Sequence, residues 1–227
     1  MDNQTKEITG AWLVAIGTII YAIGSTPFPF INEERSRDLI IIGNALQAAG
    51  NVLEAEGQDE FSLETLGNEL QATGNVTVIA GLSLPLDDDV SQKTVIAGTW
   101  IQALGGFVAF GDELADTTNT DDIYLINGNL LQAIGNSLQA GSATDTLIRE
   151  QLEETAENDN AETGDQNRIT VAPLYLVGVW IQTVGSVLAL IGQIKEESEE
   201  QSSLYQGLTM TYADWLANTK QSQLYNL

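Results

Sequence analysis

Glycine recurs every seven residues in six separate stretches of this chain: Gly10-Gly17-Gly24, Gly43-Gly50-Gly57, Gly67-Gly74-Gly81, Gly98-Gly105, Gly128-Gly135 and Gly178-Gly185-Gly192. Leu or Ile stands three residues after the first glycine of each stretch, at Leu13, Leu46, Leu70, Ile101, Leu131 and Ile181. Seven residues make about two α-helical turns, so the glycines and these large residues share one helix face. In a strand, the odd spacing would throw successive glycines onto opposite faces. The intervening Ala, Leu, Gln and Ile at three- and four-residue spacing are also helical in pattern. A glycine inside a helix costs about 0.5–1 kcal/mol relative to alanine. That cost is recovered where glycine lets a second backbone approach closely. The alternation of glycine with Leu or Ile therefore predicts a tight antiparallel seam.

The repeats are of two kinds. Three carry tryptophan: Gly10-Ala11-Trp12-Leu13, Gly98-Thr99-Trp100-Ile101-Gln102 and Gly178-Val179-Trp180-Ile181-Gln182. Three carry Gly-Asn: Gly43-Asn44-Ala45-Leu46-Gln47, Gly67-Asn68-Glu69-Leu70-Gln71 and Gly128-Asn129-Leu130-Leu131-Gln132, each with a second Gly-Asn one heptad later. Taken two at a time along the chain, every pair holds one of each kind. Fixed-period self-similarity of this sort marks a repeat architecture. The expected fold is all-α, with six main antiparallel helices in three hairpins, a short acidic helix and a C-terminal helix. Residues 1–202 form a single helical-repeat domain, with repeats near 8–24, 42–57, 66–82, 97–112, 127–142 and 177–192. Residues 203–227 form a C-terminal helix or arm.

Punctuation sets the helix ends. The first helix runs from about Thr5 to Gly24 and stops at Ser25-Thr26-Pro27-Phe28-Pro29. Asn32, followed by Glu33 and Glu34, is an N-cap for the second, which ends near Gly57. Gln58-Asp59-Glu60 and Asp116 to Thr120 are short polar links, which make helices two and three, and four and five, antiparallel neighbours. The third helix ends before Leu84-Pro85 and the fourth runs to about Ala115. The fifth ends near Gly141. The acidic helix covers 144–157, a polar loop covers Asn158 to Asn167, and the sixth helix runs from about Thr170 towards Gln201. Ser203 to about Lys220 form the last.

Charge and composition narrow the function. Asp plus Glu number 32 against 8 Lys plus Arg, a net charge of -24. That balance repels nucleic acid and anionic surfaces and favours cations, basic partners or simple solubility. His and Cys are both absent. The chain therefore has no imidazole base, thiolate nucleophile, disulfide or ordinary zinc site. The carboxylates gather at Asp87-Asp88-Asp89, Asp112 to Asp122, Glu153 to Asp165 and Glu196 to Glu200, where they read as solvated links. Calcium is the one cofactor such links could hold. Asp159-Asn160-Ala161-Glu162-Thr163-Gly164-Asp165 has the glycine of an EF-hand-like loop but lacks its third, fifth and closing ligands.

Five repeats place Gln four residues after the first glycine: Gln47, Gln71, Gln102, Gln132 and Gln182. Beside a glycine seam these amides form either a register-setting polar ladder or the lining of a polar pore. Trp12, Trp100 and Trp180 read as anchors in the core or at subunit contacts, or as a stacking platform. The packing and assembly residues are therefore Gly17, Gly50, Gly74, Gly105, Gly135 and Gly185 with these amides and tryptophans. No charge falls between Glu7 and Glu33, Lys93 and Asp112, or Arg168 and Lys195, and about 20 residues suffice to span a bilayer. Against spanning stand the Gly, Gln, Thr and Ser inside these windows and loops without a Lys/Arg excess on alternate sides. The amino end, with one lysine among acids, carries no convincing signal peptide.

The Gly-Asn-x-Leu-Gln-Ala-x-Gly-Asn and Gly-x-Trp-Ile-Gln-x-x-Gly units resemble a family of uncharacterised repetitive proteins from spore-forming Firmicutes. The resemblance covers residues 8–192. It implies a bacterial, sporulation-linked setting, cytoplasmic or spore-associated, and brings no activity or functional residue with it. The function expected from the residues is that of a non-enzymatic structural protein. Its partner would be itself, in a homo-oligomer, filament, tube or lattice with contacts through the tryptophan-marked helices or the terminal helix with Trp215 and Tyr225. The alternative is a small helical membrane protein of channel or lysis type.

Overall fold

The computed structural model describes residues 1–58, 61–115, 123–158 and 171–224, with side chains described except at 156–158, 171–172, 199–201 and 203–224. Among the described residues the chain is all-helical, with six helices: α1 (Asn3–Ser25), α2 (Glu33–Gly57), α3 (Leu63–Ser83), α4 (Asp88–Ala115), α5 (Ile123–Asn158) and α6 (Val171–Leu224). Asp2, Asn32 and Ser62 cap the first three, each side chain accepting from the amide three residues on. Ser62 and Thr65 close a reciprocal capping box, which satisfies two amides that the helix itself leaves open.

Two boundaries differ from the expectation. Residues 144–157 are not a separate helix: they continue α5 past Gly141 without a break. No Pro interrupts the run, Gly141 has no atom within 4 Å of where its Cβ would be, and Arg149 bonds Asp145 one turn back. The terminal helix likewise continues α6 to Leu224, because Lys195 to Gln201 are helix-compatible residues with no breaker among them. The links at Asp59-Glu60 and Asp116–Thr120, the polar loop at 159–167 with its EF-hand-like run, and Tyr225 lie outside the described residues.

Each helix packs against its sequence neighbours, and α1 also packs against α6, which closes the six into a ring. No backbone contact crosses the ring among the described residues. The tightest couples are α1 with α2, α3 with α4 and α5 with α6. In each, glycines face glycines: Gly10 meets Gly50 and Gly17 meets Gly43; Gly67 meets Gly105 and Gly74 meets Gly98; Gly128 meets Gly185 and Gly135 meets Gly178. Numbers rise along one helix as they fall along the other, so the partners run antiparallel. A Cβ on Gly17 would lie 2.7 Å from the Gly43 carbonyl oxygen, and one on Gly135 would lie 2.6 Å from that of Gly178. Backbone rests on backbone there, and any side chain would force the helices apart.

Beside four of these glycines the groove is filled by a glutamine stem and not by the Leu or Ile read from the heptad. Gly17 lies against the Gln47 stem, Gly74 against that of Gln102, Gly105 against that of Gln71 and Gly185 against that of Gln132. Leu13, Leu46, Leu70, Ile101, Leu131 and Ile181 are all half-buried instead. At 3.6 residues per turn, a residue four places on sits about 40° from the glycine and one three places on about 60° away, on the other side. The ring's interior takes the Gln side and the Leu side turns outward.

Candidate functional site

Polarity in this ring is inverted. Of the seven largest side chains with essentially no exposure, Gln139, Asn44, Asn75, Asn136, Thr18 and Ser186 are polar, and Val179 alone is apolar. The buried hydrophobic residues are mostly alanines, such as Ala22, Ala133 and Ala140. Large apolar side chains lie outside: Trp12, Ile16 and Ile19 on α1, Ile42 and Val52 on α2, Val76 on α3, Trp100, Leu104 and Phe107 on α4, and Val177, Trp180, Val184 and Ile191 on α6. A soluble domain does the reverse.

All five repeat glutamines are buried. They reach across the ring where the backbones do not. Gln139 Nε2 donates to Gln182 Oε1 at 2.9 Å, and Gln182 Nε2 donates to Gln47 Oε1 at 2.9 Å. Gln47 Nε2 then donates to the Gly43 carbonyl at 3.3 Å. Above them, Tyr21 Oη donates to Gln139 Oε1 at 2.8 Å and pairs with Tyr175 Oη at 2.6 Å. Gln102 Nε2 reaches Asn44 Oδ1 at 3.4 Å, and Thr18 shares a 2.5 Å bond with Ser186. Hydroxyls and amides of α1, α2, α5 and α6 thus form one continuous chain of donors and acceptors through the bundle's upper interior. Gln139, its central member, was not singled out by the repeat spacing, since it lies one heptad beyond Gln132 in α5. Extending the heptad count would have found it.

Towards the other end lies a cavity of about 20 Å³ lined from all six helices, with Glu54, Glu64, Asn51, Asn68, Gln71, Asn129 and Gln132 contributing polar groups. The five amides are each more than nine-tenths buried, yet their side chains bond to no described residue. Burial pushes the Glu54 carboxyl well above the usual carboxylate range, with repulsion from Glu64 and Glu7 adding to it. Burial also raises Glu64 to about 7, with repulsion from Asp112 adding and a hydrogen bond with Gln58 opposing. Glu64 receives no cation: the described salt bridges are Lys93–Asp89 and Arg149–Asp145, both exposed at the opposite end. Below the cavity, Gln193 Nε2 donates to Glu7 at 2.9 Å and to Glu197 at 3.2 Å.

Trp12, Trp100 and Trp180 are 49%, 46% and 43% exposed on the outer surface and so lie outside the core. Trp100 Nε1 donates to Thr144 and Trp180 Nε1 to Thr26, each at 3.3 Å, which ties each ring's polar edge to a neighbouring segment. An apolar groove beside Trp180 is lined by Leu131, Leu176, Val177, Ile181 and Val184. The charges leave a band free around the ring: no Asp, Glu, Lys or Arg falls in α1 after Glu7, in α2 between Asp38 and Glu54, in α4 between Lys93 and Asp112, or in α6 before Lys195. On α3, Glu69 stands exposed, so its charge-free run begins only at Leu70. Among the described residues, three helical segments are long and apolar enough to cross a membrane by length and composition: Asn3–Ser25, Asp88–Ala115 and Pro173–Ser198. These are the tryptophan-marked helices. Among the described residues no three acidic groups gather as a metal cluster, and the acidic links read as calcium candidates lie partly outside them.

A family model described as a family of unknown function (DUF6944) matches residues 5–190. That span takes in α1 from Thr5, all of α2 to α5, and α6 as far as Leu190. No curated protein and no solved structure matches the chain.

Proposed function

The chain belongs to the DUF6944 family, and we propose that it is a non-enzymatic, membrane-embedded helical bundle with a polar interior. We read the ring as three glycine-seamed hairpins, each joining an apolar tryptophan-marked helix to an amide-rich one. The observation that carries the reading is the inverted polarity: amides fill the centre while Trp, Ile, Val, Leu and Phe ring the outside over a charge-free band. In water, exposed apolar surface costs about 25 cal/mol per Å² and drives collapse or aggregation. In lipid that cost disappears, and helices associate instead through small residues at close backbone contact and through interhelical amide bonds. The glycine couples and the Gln139–Gln182–Gln47 chain are the devices such a medium favours. Polar groups inside a membrane bundle face its interior and mark its working part, so the function belongs to the axis, in the class of channels or transport proteins.

The test is fractionation of cells producing the chain. The chain is expected in the membrane pellet after alkaline carbonate washing, released only by detergent, and then homogeneous on size exclusion. Recovery in the soluble fraction without detergent overturns the reading.

The second reading is a homopolymer in which copies of the chain cover the belt. It is favoured by α6, which continues as a helix to Leu224 beyond the part that closes the ring and would give one copy a reach onto the next. It predicts detergent-free material whose light scattering grows with salt, as screening weakens repulsion between chains of net charge -24 over a Debye length of about 8 Å.

A further inference from the structure

We propose that the central cavity binds one small monovalent cation, held by oxygens of Glu54 and Glu64 and by the side-chain carbonyls of the surrounding Asn and Gln residues. Size comes first. A cavity of about 20 Å³ is close to the minimum that holds a single water, about 10–15 Å³; an organic solute is too large. Sign comes second. The lining contains two carboxylates and no Lys or Arg, which excludes an anion.

The third argument is the independent one. Buried amides are almost always hydrogen-bonded, and leaving one unsatisfied costs about 1–3 kcal/mol. Here Asn51, Asn68, Gln71, Asn129 and Gln132 face the same small space with no bond to any described residue. The repeat-equivalent glutamines Gln47 and Gln182 are paired elsewhere in the ring, whereas Asn75 Oδ1 and Asn136 Nδ2, outside the cavity, are buried without a partner. Amide carbonyls turned inward supply the oxygen shell that replaces an alkali ion's hydration, as carbonyl rings do in selective filters. The valence follows from the acid count: no three carboxylates gather here, whereas calcium and magnesium sites are built on several hard oxygen ligands rich in carboxylate. Glu7, Glu197 and Asp112 surround the lower end, which makes that end attractive to cations. The site rests on the interior alone and stands whether lipid or other copies cover the belt.

The experiment uses the full chain, purified in mild detergent or without it if soluble. Thermal unfolding is followed by circular dichroism at fixed ionic strength and pH 8 in NaCl, KCl, LiCl or choline chloride, with titration calorimetry for stoichiometry. A ligand that binds only the native state raises the midpoint in a saturable way. One alkali ion is expected to raise it above choline, with one ion bound per chain. Glu64→Gln and Gln71→Leu should each weaken binding at least tenfold, whereas Glu33→Gln, at the far end of α2, should leave it unchanged. Superimposable curves in all four salts, with no calorimetric heat, overturn the proposal. So does calcium displacing the alkali ion at equal ionic strength. Both readouts come from the unmodified chain, so a variant that fails to fold does not blunt the test.

Discussion

The upper and lower halves of the interior are made from the same repeat and behave oppositely. Above, Tyr175, Tyr21, Gln139, Gln182 and Gln47 pass hydrogen bonds from one to the next, and every member has a partner. Below, Gln71 and Gln132 occupy the equivalent repeat positions and have none, with Asn51, Asn68 and Asn129 beside them. Two tyrosines and a sixth glutamine make the difference, because they supply extra donors and acceptors at the top. At the bottom, Glu54 and Glu64 replace them, and carboxylates only accept when ionised. The same amide thus rigidifies one half and leaves the other open to an occupant. Identical motif positions do not imply identical roles.

The glycine couples run through both halves, and breaking one should give the largest effect. Gly135→Leu would place side-chain atoms where a Cβ is already 2.6 Å from the Gly178 carbonyl oxygen and 2.5 Å from the Gln182 amide nitrogen. We expect a loss beyond the ~1–3 kcal/mol typical of overpacking, read by denaturant or thermal unfolding. A neutral outcome would show that the α5–α6 contact is open.

Next in size is the contrast itself. Gln182→Leu removes the centre of the upper chain and leaves Gln139 Nε2 and Gln47 Oε1 with lost bonds, at about 2–4 kcal/mol in all. Gln132→Leu in the cavity should cost under about 1 kcal/mol in choline buffer, since it has no protein bond to lose. Equal costs for the two would erase the distinction between the halves.

The smallest effect is a pH slope from the lower half. Glu64 is raised to about 7 in the folded chain from an ordinary 4.5. The folded state therefore holds its proton where the unfolded chain has released it. The stabilisation is complete below about pH 4.5 and is lost as pH rises towards 7. Because the side chain is only half-buried, the change should be on the order of 1 kcal/mol once solvent screening is allowed for. Glu64→Gln should reduce the slope between pH 5 and 8 in alkali-free buffer, leaving the part owed to Glu7 and Glu54, which are raised as well, whereas Tyr21→Phe should lower stability without altering it. An unchanged slope in Glu64→Gln would remove this carboxyl from the cavity's energetics.

Much of this was legible in the chain of residues. The seven-residue glycine spacing dictates helices, and it dictates which face can approach another backbone, because both follow from 3.6 residues per turn and from the missing Cβ. Asn32 and Glu33-Glu34 announce the start of α2. The charge-free windows are visible too, and so is the row of glutamines, although as a choice between ladder and pore. Other features were not legible. That α5 passes through Gly141 and α6 through Gln201 depends on the absence of any partner forcing a break, which no local pattern records. The Trp side chains look like core anchors by residue type; their place on the outer surface is set by which side of the heptad turns inward.

Local sequence thus determined helices, their ends and their glycine faces, since these depend on backbone geometry within two turns. Only the tertiary structure decided that α1 closes on α6, that Gln rather than Leu lies beside Gly17, Gly74, Gly105 and Gly185, and that Gln47 and Gln182 are bonded while Gln71 and Gln132 line a cavity. Each of those depends on residues far apart in the chain, Tyr21 with Gln139 and Gln47 with Gln182 being more than a hundred positions apart. Hydrogen bonding is a property of pairs, and the pairs exist only once the ring has closed.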